Sequence, residues 1–188
     1  MRLPIGALPC RHGVLKEDAD HPLYNKESAF EMLVEGIESC LKEERRVSPV
    51  YFLGETNQGP HDILLVNVSD VLDRDNCMSN IIHGIHTMAN DVQPMRWALA
   101  AEISYKGFKR TGGAPIEEGP GVLLVYAERD SRDDKAGRIF SKVLKIKLDS
   151  EGNKALDLTV DDKLEGLLLQ ESWAGSFAVN LFEDADEA

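Results

Sequence analysis

The sequence predicts an α+β fold: a mainly antiparallel sheet of five to six strands, with two amphipathic helices packed on one face. Two kinds of segment support this prediction. In two stretches, apolar residues recur at steps of three and four, the period of a helix with one buried side. Several shorter runs, rich in apolar residues and bounded by Gly, Pro, Asn or Asp, have the pattern of strands.

The first helix is predicted from Lys26 to Arg46. Asn25 can cap its start, and Pro49 prevents its continuation. Its apolar stripe consists of Phe30, Leu33, Val34, Ile37, Cys40 and Leu41. Because Cys40 belongs to this stripe, we interpret it as a small core residue rather than a reactive thiol.

A hairpin should follow, with strands at Val50–Gly54 and Asp62–Val68 joined by the turn residues TNQGP. The second helix is predicted from Asn76 to Val92 and ends before Pro94. Its buried stripe comprises Met78, Ile81, Ile82, Ile85, Met88, Ala89 and Val92. The sequence leaves open whether the strands on either side of this helix pair in parallel.

Residues Arg96–Tyr105 alternate as a strand does. One side carries Trp97, Leu99, Ala101, Ile103 and Tyr105, and the other carries Ala98, Ala100, Glu102 and Ser104. The small residues of the second side would let a helix approach closely. Two further strands, Val122–Glu128 and Ile139–Leu148, are expected to form an antiparallel hairpin across the charged connector RDSRDDKAG.

The rest of the chain predicts a short strand at Ala155–Val160, a short helix through Leu164, Leu167 and Leu168, and a last strand at Ser176–Phe182. We therefore divide the chain into an extended arm at 1–25, one α+β domain at 26–182, and an acidic tail at 183–188. The arm contains three prolines and several apolar residues. It is expected to pack on its own domain or, alternatively, on a partner.

Composition narrows the possible functions. The 188 residues include 33 acidic and 21 basic side chains, a net charge of -12, which disfavours direct contact with nucleic acid or anionic membranes. No apolar run reaches the roughly 18 residues of a membrane span, and Pro4, Pro9 and Arg11 interrupt any signal-peptide core. The three cysteines form no C-x-x-C pair. These features predict a cytoplasmic protein with reduced thiols.

Known catalytic and cofactor motifs are missing from the sequence, including the G-x-S-x-G elbow, G-x-G-x-x-G and the P-loop. No cofactor is therefore predicted, and the sequence leans against an enzyme. One weak metal candidate lies on the second helix, where His83 and His86 belong to a polar stripe with Ser79 and Asn90. A third ligand could come from Asp70, Asp73 or Asp75. Since the spacing differs from H-E-x-x-H, a solvated helix flank is the favoured interpretation.

Glu102 interrupts the small-residue side of its strand, where an ionised carboxylate needs a partner. It is a weak candidate for a general acid or base beside His86 or Ser104. The favoured alternative gives it a structural ion pair with Arg96 or Arg129 at the sheet rim, or exposure to water. A second weak cluster, Cys10, His12 and His21, matches no zinc module.

The acidic loops are the predicted partner-binding surface. They carry Glu117, Glu118, Asp130, Asp133 and Asp134. Such loops could imitate a phosphate array in a groove of another protein. However, the cations Arg129, Arg132, Lys135 and Arg138 are interleaved with the second acidic group and cancel part of its field, so ordinary solvated loops are the simpler explanation.

The order of elements, with AAEISY, GVLLVYAERD and RIFSKVLKIKLD as its strands, resembles a set of small uncharacterised α+β proteins of bacterial and phage genomes. The resemblance covers the pattern of residues 26–149 and implies a prokaryotic or phage accessory protein, without supplying any functional residue.

Two functions are therefore predicted. The leading one is a non-enzymatic interaction protein that binds another protein, or a second copy of itself, through its acidic loops and N-terminal arm. The alternative is a small metal-dependent hydrolase that uses His83 and His86, with Glu102 as acid or base.

Overall fold

A computed structural model describes residues 23–43, 47, 49–68, 78–108, 117–158, 166–169 and 180–183. The elements within these ranges are α1 (Lys26–Lys42), β1 (Val50–Thr56), β2 (Gly59–Asn67), α2 (Met78–Val92), β3 (Arg96–Phe108), β4 (Glu117–Glu128), β5 (Arg138–Leu148), β6 (Lys154–Asp157) and β7 (Gly166–Leu169). The α+β prediction is confirmed. Neither of the two described helices combines the length and the apolar character needed to cross a membrane.

The strands form one sheet in the order β2-β1-β3-β4-β5-β6, and every neighbouring pair is antiparallel. The seventh strand, β7, pairs with the far end of β3, beyond the stretch that pairs with β1. Because β1 is antiparallel to both β2 and β3, those two strands run parallel with β1 between them. The segment containing α2 therefore crosses over one intervening strand, which answers the question that the sequence left open.

The two helices belong to separate core clusters on opposite faces of the sheet. Residues Ile81, Ile85 and Ala89 of α2 share a cluster with the odd-numbered side of β3, including Trp97 and Leu99. The other cluster joins the even-numbered side, Ala98 and Ala100, to the buried residues of α1, which are Ala29, Leu33, Ile37 and Leu41. The prediction that both helices pack on one face is thus not confirmed. Since β3 and β4 are apolar on both sides, each face needs its own cover.

The start of α1 follows the sequence closely. The Asn25 side chain accepts a hydrogen bond from the Ser28 amide at 2.8 Å, which caps the helix as predicted. The helix ends at Lys42, before the predicted Arg46. Leu23, assigned by sequence to the arm, is fully buried in the α1 cluster. The predicted arm therefore meets the domain before residue 26, and its residues 1–22 lie outside the described part.

The C-terminal predictions differ most from the structure. Within the predicted short helix, Gly166–Leu169 forms strand β7, in which Leu167 and Leu168 pair with Gly107 and Lys106 of β3. A run of consecutive leucines has no helical period, and the edge of β3 that β1 leaves open accepts a strand. Of the predicted last strand, only residues 180–182 are described, and they form a turn in which Leu181 and Phe182 are buried.

Replacing Gly36 with alanine should stabilise the protein. Gly36 is an exposed residue inside α1, and an added Cβ would meet no atom within 4 Å. Because glycine loses more backbone entropy than alanine on entering a helix, we expect Gly36→Ala to raise the free energy of unfolding by about 0.5–1 kcal/mol. Urea unfolding measures this value. An unchanged or lower value would show that residue 36 is not helical in solution.

Candidate functional site

The candidate site is the loop between β4 and β5, residues 129–137, which we call the β4–β5 loop. It contains the acidic residues Asp130, Asp133 and Asp134 that the sequence indicated. The flanking strands are in register up to the pair Glu128 and Arg138, so the loop closes a regular hairpin. What it can do depends on how firmly it is held and which charges remain exposed.

Arg129 anchors the first half of the loop. It is only 6% exposed, and its Nε donates to the Pro94 carbonyl at 2.9 Å while Nη1 donates to the Arg132 carbonyl at 2.9 Å. The guanidinium also lies 4.7 Å from the centre of the Phe182 ring. A cation can be buried when hydrogen bonds replace its hydration. Arg129 thereby ties the loop to the chain that follows α2.

Arg132 makes a second link to the same region. Its Nε donates to the Gln93 carbonyl at 3.3 Å and its Nη2 to the Thr56 carbonyl at 3.4 Å. The positive charges of Arg132 and Arg129 lie next to the C-terminal end of α2, where the helix dipole favours cations. Both arginines therefore have a structural role that extends beyond cancelling acidic charge.

The second half of the loop is held by Asp134 and Asn180. The Asp134 Oδ1 accepts hydrogen bonds from the Ala136 and Gly137 amides, each at 3.1 Å. The Asn180 Nδ2 donates to the carbonyls of Lys135 and Ala136 at 3.0 and 3.2 Å. Gly137 has φ 59, a left-handed conformation that favours glycine. The second half of the loop is thus held both by its own Asp134 and by Asn180 from the C-terminal turn.

The three loop aspartates have different roles. Asp134 organises the backbone, as described above. Asp130, with a side chain 85% exposed, accepts from Arg138 at 3.1 Å, and the same Arg138 nitrogen lies 3.1 Å from Glu128. Asp133 is exposed, and among the described residues no donor is found for its carboxylate. Burial and the neighbouring Arg132 lower the pKa of Arg129, while Asp134 and Asp133 act in the opposite direction.

Charged residues on the neighbouring strands β1, β3 and β4 lie side by side next to this loop. Arg96 pairs with Glu55 beside it on β1, and Glu128 is opposite Arg96 on β4. The Tyr126 hydroxyl lies 3.0 Å from the Glu128 carboxylate and 3.3 Å from the Leu23 carbonyl, and its single proton can be donated to either acceptor. Burial, followed by Glu128, raises the pKa of Tyr126, so the phenol stays protonated. This contact links the start of α1 to the strand that enters the loop.

The predicted acid-base residues do not converge. Glu102 lies on the same side of β3 as Ala98 and Ala100, the side that α1 covers, and its Oε2 accepts from the Val47 amide at 3.4 Å. Its partner is therefore neither Arg96 nor Arg129. His86 lies on α2, which packs against the opposite face of the sheet. Ser104 is exposed.

His83 and His86 also differ in their surroundings. His83 is exposed, whereas His86 is 1% exposed, and neither of its ring nitrogens has a hydrogen-bond partner among the described residues. Burial lowers the pKa of His86, the neighbouring Glu183 opposes this shift, and the charge of His83 adds to it. Within the described ranges, no three His, Cys, Asp or Glu side chains are grouped to hold a metal. The proposed third ligands Asp70, Asp73 and Asp75 lie outside those ranges, as do Cys10, His12 and His21.

The other predicted acidic residues, Glu117 and Glu118, lie in strand β4 rather than in a loop. Glu118 is exposed and stands opposite Lys106 in the register of β3 and β4. Sequence reasoning placed the start of this strand at Val122 because GGAPIEEGPG contains glycine and proline. Pairing with the long strand β3 extends β4 back to Glu117 in spite of this glycine and proline content. The prediction that Glu117 and Glu118 lie in a loop is therefore wrong.

Sequence reasoning missed Arg129 as the anchor of the site. The available signal was its position directly after the apolar strand GVLLVYAE, where a charged side chain is close to the core. Its acceptors, the carbonyls of Pro94 and Arg132, cannot be recognised from a sequence because backbone carbonyls occur at every position.

The buried His86 should make stability depend on pH. Its pKa is lowered in the folded state from the ordinary value of 6.5, so the unfolded chain binds more protons as pH falls. Stability should be full above that ordinary value and decrease as pH falls below it. We expect His86→Leu to flatten this dependence in urea unfolding between mildly acidic and neutral pH. The exposed control His83→Gln should retain it, and an equal slope in His86→Leu would contradict the prediction.

Replacing Gly137 with alanine should loosen the loop. An added Cβ would lie 2.5 Å from Cδ2 of Phe182 and 3.0 Å from the Glu128 carbonyl oxygen, at a φ of 59. We expect a loss of about 1–3 kcal/mol in the free energy of unfolding. Gly152→Ala is the matched control, since Gly152 has φ 86 but no atom within 4 Å of an added Cβ. Equal losses in the two variants would mean that the Phe182 contact contributes nothing.

Comparison of the chain with models of protein families, with characterised proteins and with solved structures finds no match.

Proposed function

We propose that this chain is a non-catalytic protein-binding domain, and that the β4–β5 loop is its main contact surface. One observation carries the proposal: hydrogen bonds of Arg129, Arg132, Asp134 and Asn180 hold the backbone of the loop, while the carboxylates of Asp130 and Asp133 face solvent. The partner that fits this surface is a protein with a cationic patch.

The energetics of the loop favour recognition. A loop that is disordered before binding loses conformational entropy when a partner holds it, and this loss weakens the complex. The anchors of the β4–β5 loop incur this ordering cost during folding instead. Exposed carboxylates on such a support add long-range attraction to cations, which increases the association rate more than it slows dissociation.

The predicted N-terminal arm can belong to the same surface. The described chain begins at Leu23, whose carbonyl accepts from Tyr126, two residues before the last residue of β4. The Tyr24 ring lies 5.8 Å from the guanidinium of Arg96, which is opposite Glu128. Residues 1–22 therefore join the domain at the end of the sheet that carries the β4–β5 loop. A partner that contacts the loop would lie close to the point where the chain enters the domain at Leu23.

The alternative function, a small metal-dependent hydrolase, receives no support from these contacts. His83 is exposed whereas His86 is buried, so the two imidazoles are not both accessible to one ion from solvent. Glu102, the proposed acid or base, lies on the opposite side of the sheet from α2.

Charge neutralisation in the loop tests the proposal. We expect Asp130→Asn with Asp133→Asn to reduce the association rate of the partner about tenfold, and to weaken the dependence of that rate on salt. The matched control is Glu31→Gln with Glu35→Gln, which removes two exposed charges from α1. The partner would be identified by cross-linking in the source cell, and its rates measured by surface plasmon resonance. Equal rates for both double variants would overturn the proposal.

A deletion of residues 1–22 tests the contribution of the arm. It retains Leu23 and the Asn25 cap, so the folded domain keeps both contacts of its first turn. If the arm contacts the partner, this deletion should accelerate dissociation of the complex while the thermal midpoint of the free domain stays unchanged.

A further inference from the structure

Beneath the β4–β5 loop lies a small cavity of about 130 Å³. The polar residues that line it are Arg129, Arg132, Lys135, Asn90 and Gln93, and Phe182 contributes to its apolar part. It is therefore bounded by the C-terminal turns of α2, by the loop, and by the buried turn at 180–183. Three of its lining residues are cations, although the chain as a whole has a net charge of -12.

Arg129 and Arg132 each use only some of their guanidinium N–H groups in the hydrogen bonds described above. Arg129 uses Nε and Nη1 for carbonyls, and Arg132 uses Nε and Nη2. Among the described residues no acceptor is found for Nη2 of Arg129 or Nη1 of Arg132. The carbonyls after α2 therefore account for only part of the hydrogen-bonding capacity of these side chains. Planar guanidinium groups with unused N–H groups are well suited to oxyanions.

The electrostatics of the cavity also favour an anion. Burial and then the charge of Arg132 lower the pKa of Arg129, and the nearby Asp134 and Asp133 act in the opposite direction. A negative group between the two guanidinium groups would relieve the repulsion. The burial of Arg129 and the presence of the Phe182 ring reduce screening by water, which strengthens the attraction.

The cavity is large enough for a small anion. A water molecule needs roughly 10–15 Å³ of such space, so about 130 Å³ holds several waters. A single tetrahedral oxyanion therefore fits within it. We propose that the cavity binds a tetrahedral oxyanion of the phosphate class, with Arg129 and Arg132 as hydrogen-bond donors and Lys135 as a further positive charge. This site is independent of the protein partner proposed above.

Isothermal titration calorimetry with inorganic phosphate, against sodium chloride of equal ionic strength, tests the site. We expect saturable binding of one phosphate per chain. In Arg132→Gln with Lys135→Gln the Kd should rise at least about tenfold, which is roughly 1.4 kcal/mol. The matched control, Lys142→Gln with Lys154→Gln, removes two exposed cations from β5 and β6 and should bind phosphate as the unchanged protein does.

A second measurement keeps the test valid if the loss of Arg132 disturbs the fold. In the unchanged protein, the side-chain NMR signal of the Arg129 Nε–H group should shift on titration with phosphate and not with chloride. Lys135→Gln alone, which leaves both arginines in place, should raise the Kd by a smaller factor. Absence of saturation and of any specific shift in the unchanged protein would overturn the proposal, as would equal affinities in all variants.

Titration with O-phosphoserine distinguishes the source of the oxyanion. Tighter binding of inorganic phosphate would assign the site to the free ion. Tighter binding of O-phosphoserine would support the same oxyanion chemistry on a phosphorylated residue. Failure of both probes to bind would overturn the proposal.

Discussion

The paired strands β3 and β4 are apolar on both faces, and most of the structure follows from the need to cover them. Trp97, Leu99 and Val125 face α2, while Ala98, Ala100 and Leu124 face α1. Burial of this surface is the largest stabilising contribution available to a domain of this size. Burial on both faces requires a helix on each side. Helix α1 covers one face, and α2, in the connection between β2 and β3, covers the other.

Two polar side chains, Arg129 and His86, are buried next to the apolar core, and they differ in their hydrogen-bond partners. Arg129 is buried with carbonyl acceptors and carries the β4–β5 loop. His86 is buried on the α2 side without a hydrogen-bond partner among the described residues. The first arrangement stabilises a charge inside the protein, whereas the second requires a neutral ring. The same region thus contains both a firm anchor and a group that is sensitive to acid.

The β4–β5 loop separates charges of opposite sign. Its outer side presents Asp130 and Asp133 to solvent, and its inner side directs Arg129 and Arg132 toward the end of α2 and the small cavity. The inner cations fix the backbone through carbonyl groups, so the outer carboxylates are displayed on a support of defined shape. A ligand in the cavity would strengthen that support, because it would join the two arginines that hold the loop. The proposed recognition on the outer side of the loop and the proposed anion binding on its inner side are therefore compatible.

The sequence by itself determined the two helices, the two hairpins and the alternation of β3, because periods of 3.6 and 2 and the cap at Asn25 are local properties. It also predicted that the acidic residues after β4 lie in a loop. Only the tertiary structure decided which face each helix covers, that the leucines of β7 form a strand, that His86 is buried while His83 is exposed, and that Arg129 anchors the loop. Each of these depends on partners distant in sequence: the open edge of β3, the turn containing Phe182, and the carbonyls that follow α2. Such contacts leave no periodic signal in the chain because they are set by how the elements pack.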